Sequence, residues 1–179
     1  ANGGFPTPSG KCEFYSESEK KAGRDPLPRY VPPREGVSSN PELARRYPLA
    51  FISPPAHHFL NSTFAGQETF VKREGGGPSL ILHPDDARAR GITDGALVKT
   101  FNDRGAFFAR ARVSDSARQG VVVGLSIWWN RFCPGGRNAN AVTSQALTDL
   151  GRGATFYDVL VEVAAAAEGE VAPAKAASA

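Results

Sequence analysis

From Tyr47 onward the apolar residues come in short runs separated by clusters of turn-forming residues, a texture that excludes most helical architectures. Leu49 to Ile52, Ser79 to Leu82, Ala96 to Phe101, Phe107 to Val113, Val121 to Ser126 and Thr155 to Val163 each predict a strand. One stretch between them reads as a helix. Pro84 suits a first helical position, Asp85 and Asp86 lie at the positive end of the helix dipole, and Gly91 stops the run. Asn102-Asp103-Arg104-Gly105 predicts a hairpin turn with Gly105 at positive φ. Some six short strands with one short helix predict a mainly β, closed or nearly closed barrel, because closure removes the edges an open sheet must protect.

The flanks differ in texture. Residues 1–46 are rich in Pro, Gly, Ser and charge, and Pro26, Pro28, Pro32, Pro33 and Pro41 exclude a long helix. That stretch predicts an extended arm lying along a larger body, with the barrel over 47–163 and an Ala-rich tail over 164–179. The chain contains no Met and starts at Ala1, so it reads as a fragment or a processed piece.

Composition excludes several functions. The formal charge of +3 is small and the Arg and Lys are scattered, which argues against nucleic acid. Cys12 and Cys133 form neither a CxxC pair nor a disulfide framework, and three His residues are too few and too poorly spaced for a zinc site. No run approaches the roughly 20 apolar residues that span a bilayer. Ala1 to Gly10 lacks the apolar core of a signal peptide. The expectation is a soluble protein without nucleic-acid or membrane partners, in a reducing, cytoplasmic compartment.

Two loops could carry chemistry. Ser53-Pro54-Pro55-Ala56-His57-His58-Phe59-Leu60-Asn61-Ser62-Thr63 leaves the first strand directly. Such a loop can offer amides and short hydroxyls to an anion, or it can be a surface loop with His57 and His58 bonded locally. In Gly135-Gly136-Arg137-Asn138-Ala139-Asn140-Ala141-Val142-Thr143 the glycines permit close backbone approach, and each Asn both donates and accepts hydrogen bonds, which suits a planar heterocycle, or the segment is simply a flexible loop. Trp128, Trp129 and Phe132 read as core or barrel-mouth packing, and Tyr157 faces either the core or a ligand. No nucleophile elbow, Walker loop or paired carboxylates accompany these loops.

Four stretches together resemble the molybdopterin dinucleotide-binding domain that ends the catalytic chains of the dimethyl sulfoxide reductase superfamily, which includes formate dehydrogenases and nitrate reductases. They are Thr7 to Ser16, Tyr47 to Ser62, His83 to Val98, and Asn138 to Thr143 with Asp149, Gly153 and Phe156. The resemblance implies a six-stranded double-psi β barrel of the aspartate decarboxylase type, with one or two short helices. It implies that the domain grips one of the two pterin guanine dinucleotides that chelate molybdenum or tungsten. Ser53, Pro54, Pro55, Ala56, His57, His58, Asn61, Ser62 and Thr63 would wrap pterin and pyrophosphate, and His83 and Asp86 would lie near guanine. Asn138 and Asn140 would serve the pterin, and Tyr157 stands where some members place a cofactor-binding Lys. It further implies a two-electron oxidoreductase whose upstream domains hold the metal ligand and a 4Fe–4S cluster, so the chain by itself catalyses nothing. The other readings are a separate small subunit, as in some formylmethanofuran dehydrogenases, and a non-enzymatic barrel used for protein interaction.

Overall fold

Inward-facing residues from all six strands of this chain pack into one core and build a barrel. In the computed structural model, residues 3–61 and 63–171 are described. The chain divides into two units, residues 1–32 and 33–179, so residues 33–46 pack with the barrel.

The first unit holds helix α1 (Glu17–Lys21), whose first turn is capped by the Ser16 hydroxyl accepting from the Glu19 N–H. The second unit begins with helix α2 (Pro41–Arg46), capped by Asn40 with Pro41 at its start. Two short helices therefore form within the stretch whose prolines predict an extended arm. Neither buries a residue, so neither leaves a hydrophobic period in the sequence.

Six strands follow: β1 (Leu49–Ile52), β2 (Ser79–Leu82), β3 (Leu97–Asn102), β4 (Gly105–Val113), β5 (Val121–Val123) and β6 (Leu160–Ala165). They close in the order β1-β5-β2-β4-β3-β6. The β1/β5 and β2/β4 pairs are parallel and the other four are antiparallel. Exchanging β1 with β4, β2 with β5 and β3 with β6 preserves every neighbour and its direction. This is the interlocked two-fold arrangement of a double-psi barrel. Helix α3 (Glu68–Arg73) and helix α4 (Pro84–Arg88) complete the elements among the described residues that matter below.

Two strands are shorter than the sequence predicts, for local reasons. β5 stops at Val123 because Gly124 follows and Ser126 adopts φ 61°. β6 starts at Leu160 because the Thr155 N–H and hydroxyl both bond the Ala146 carbonyl, holding residues 155–158 in a turn. The hairpin lies where expected, but Gly105 does not take positive φ among the residues that do. A Cβ there would meet the Ala141 carbonyl oxygen at 3.0 Å, so close approach is what demands glycine.

Leu49 and Phe51 of β1, Leu80 and Leu82 of β2, Phe107 of β4 and Val163 of β6 fill the barrel. The rings of Phe51 and Phe107 meet at 5.6 Å between centroids. A second cluster of Ala56, Phe59, Ala65, Val71, Trp128 and Cys133 lies outside this core. It packs the loop after β1 against the loop after β5, and that contact builds the site.

Candidate functional site

Parallel pairing of β1 with β5 sets Ile52 opposite Val123, so the loops that follow both strands leave the barrel side by side. β6 runs antiparallel to β1, and the Phe51 N–H bonds the Val159 carbonyl. Residues 154–158 therefore arrive at the same end. The three segments enclose a cleft of about 530 Å³ lined by Ser53, Asn61, Asn140, Thr143, Ser144 and Tyr157, with Pro55, Ile127, Ala154 and Phe156 as its apolar surface. An adjoining cleft of about 470 Å³ shares Asn61, Ile127 and Asn140 and extends to Asn138 and Trp129. Volumes of this order suit a drug-sized ligand.

The walls are fixed by hydrogen bonds. Asn138 braces the loop itself: its Nδ2 donates to the Trp128 carbonyl at 2.9 Å and its Oδ1 accepts the Asn140 N–H at 3.1 Å. The Val142 carbonyl accepts from Asn102 Nδ2 at 2.9 Å and from Arg104 Nε at 2.8 Å, which ties this loop to the β3–β4 hairpin. Arg104 is itself held by Glu35 at 2.5 and 2.9 Å. Asn140 is exposed to the cleft, and Asn61 adopts φ 47° in a tight turn closed by Leu60 and Thr63. The Tyr157 hydroxyl reaches the Ser53 carbonyl at 3.5 Å, bridging two of the three segments.

Of the residues singled out in the sequence, Ser53, Pro55, Asn61, Asn138, Asn140 and Tyr157 line the two clefts. Ala56 is buried in the second cluster, and Pro54 offers its carbonyl to the Ser126 N–H at 2.7 Å. Ser62 lies outside the described residues. His83 caps α4 by accepting the Asp85 N–H at 3.2 Å, and buried Asp86 accepts the Gly120 N–H at 2.7 Å. Neither lines the clefts. Thr143 and Phe156, which belong to the stretches that carry the resemblance, line the site without having been assigned a binding role, and Ile127 and Ser144 join it with no sequence signal beyond their place beside Trp128 and Thr143.

His57 and His58 are held from outside by Glu74. Its carboxylate accepts the N–H groups of His57 at 3.3 Å and His58 at 3.2 Å and lies 2.6 Å from His58 Nδ1. Burial pushes this carboxyl up, but the His58 ring and the His57 N–H outweigh burial and hold it below its ordinary 4.5. A lowered carboxyl contributes stability that is complete above its unfolded value and disappears as pH falls through the lower folded value. The amide shifts of His57 and His58 are therefore expected to titrate together below pH 4.5, and Glu74→Gln is expected to abolish that titration. Amide shifts in the unaltered protein that stay flat through the acid range would contradict the linkage.

Cys133 is buried, which pushes its thiol up to about 11 and leaves it inert as a nucleophile. Among the described residues no group of three or more His, Cys, Asp or Glu is placed to hold a metal ion, and no helix is long and apolar enough to cross a membrane.

The family model of the molydopterin dinucleotide binding domain matches residues 49–160. Probable oxidoreductase YoaE of Bacillus subtilis (strain 168) is 39% identical over 162 residues, covering 90% of this chain and 22% of that protein. Dimethyl sulfoxide/trimethylamine N-oxide reductase of Rhodobacter capsulatus is 35% identical over 120 residues, covering 65% of this chain and 14% of that protein. Among solved structures, acetylene hydratase from Pelobacter acetylenicus superposes with a TM-score of 0.76 at 23% identity, over 92% of this chain and 24% of that one, a likeness of fold. This chain thus spans about a fifth or less of the curated relatives' lengths. The matched segment is more than half of the 179 residues, and the chain belongs to the molydopterin dinucleotide binding domain family of the dimethyl sulfoxide reductase superfamily.

Proposed function

We propose that the cleft between Ser53–Asn61 and Asn140–Ser144 holds the pterin end of one pterin guanine dinucleotide, one of two that chelate molybdenum or tungsten. The observation that carries this is convergence: two loops some 80 residues apart place two carboxamides and three hydroxyls around one cavity. Carboxamides match the alternating donors and acceptors of a pterin edge, and Phe156 and Ile127 supply apolar surface for its ring. Every residue lining this cleft is uncharged, and Tyr157 stands at the position where the family resemblance offers Lys. A neutral wall suits the heterocycle better than the pyrophosphate. When bound, the metal and pterin supply two-electron redox chemistry. Asn61 and Asn140 orient the heterocycle, Tyr157 holds the cleft closed against Ser53, and the surrounding loops exclude water.

The partner in this reading is the rest of a larger cytoplasmic oxidoreductase, whose other domains supply the metal's protein ligand and a 4Fe–4S cluster. This domain alone then turns over no substrate. The short coverage of the curated relatives supports that division. Asn140→Ala in the full-length protein is expected to weaken dinucleotide retention by about tenfold, the weight of one or two lost hydrogen bonds. His57→Ala is expected to leave it unchanged. Equal pterin and metal content in purified Asn140→Ala and unaltered protein would overturn the assignment.

A further inference from the structure

Ser126 has three properties that rarely occur together. It adopts φ 61°, it is 4% exposed, and its hydroxyl is buried with no hydrogen-bond partner. A buried hydroxyl left without a partner costs more than most side-chain hydrogen bonds return, so such a group signals a missing neighbour. Ser126 also lines a narrow space that admits a water-sized sphere over about 10 Å³, walled by Ser79, Phe107, Trp128, Cys133 and Asn138 among others. That is the size of one water molecule.

We propose that this space is a binding site for a single structural water, and that the water joins the two loops of the cofactor cleft from behind. A buried water needs two to four polar partners. The Ser126 hydroxyl is one. Ser79 lines the same wall, and the Asn138 carboxamide retains one N–H and one lone pair beyond its bonds to Trp128 and Asn140. The location gives the water its role. Ser126 is tied by its N–H to the Pro54 carbonyl, on the loop after β1, while Asn138 fixes the Asn140 backbone. A water bonded to both side chains continues that chain, from Pro54 through Ser126 to Asn138 and Asn140. Ser126 and Asn138 act in it as positioning residues.

This inference does not require the pterin assignment, and its test is read without cofactor chemistry. Ser126→Ala removes the hydroxyl while keeping a side chain that bears the same left-handed backbone cost. In a high-resolution crystal structure of the full-length protein, we expect a solvent peak within hydrogen-bond distance of Ser126 Oγ and of Ser79 or Asn138, and we expect it to vanish in Ser126→Ala. The amides of Asn140, Ala141 and Val142 are expected to exchange about fivefold faster in that variant, the effect of one net hydrogen bond. A dry cavity with Ser126 Oγ turned onto a protein acceptor would overturn the site, whether or not the variant folds. A peak or exchange rates unchanged in Ser126→Ala would overturn the role of its hydroxyl.

Discussion

Phe51→Ala is expected to lower the free energy of unfolding by about 3–5 kcal/mol, the largest loss from any single substitution considered for this chain. The residue is fully buried, and its ring meets that of Phe107 and lies against Gly124. A Cβ on Gly124 would come within 3.0 Å of the Phe51 ring, so the backbone of β5's exit has been shaped around that ring. Truncation leaves a cavity that a closed barrel cannot collapse, since each strand is held on both sides by its neighbours. The midpoint of chemical denaturation should fall with little change in slope. A loss below about 1 kcal/mol would mean that the barrel relaxes around the hole. Because β1 leads directly into Ser53, the same change is expected to loosen the cleft.

Asp86→Ala is expected to cost about 1.5–3 kcal/mol, the range for a hydrogen bond to a charged group. Its buried carboxylate accepts the Gly120 N–H at 2.7 Å and so fixes the turn that feeds β5. Gly120 lies at φ 80° and its carbonyl accepts the Ala50 N–H, so this turn also sets the β1/β5 register. Asp86→Asn keeps an acceptor for the Gly120 N–H and is expected to recover much of the loss. The family resemblance places Asp86 near guanine, and denaturation separates the two roles. A ligand-binding Asp would leave the stability of the cofactor-free protein unchanged on substitution.

The barrel was legible because short apolar runs alternate with turn-forming clusters along the chain, a texture that survives without knowledge of the partner strand. What escaped was set by contacts distant in sequence. α3 buries only Val71, so its six residues carry no helical stripe. The end of β5 and the start of β6 follow from Ser126 at positive φ and from Thr155 bonding Ala146, neither of which alters hydrophobic pattern. The two site loops were legible through their residue types. Their convergence was expected from the family resemblance, which has one pterin touch both, but the parallel pairing of Ile52 with Val123 that produces it was not legible. The supports behind them were equally hidden, since Glu74 reaches His58 across 16 residues and Arg104 reaches Val142 across 38.

The most direct measurement is a structure of the full-length protein loaded with its cofactor. Asn61 and Asn140 should each lie within hydrogen-bond distance of the same pterin, with Tyr157 at its edge. A dinucleotide bound elsewhere, leaving both carboxamides facing solvent, would contradict the assignment of this cleft.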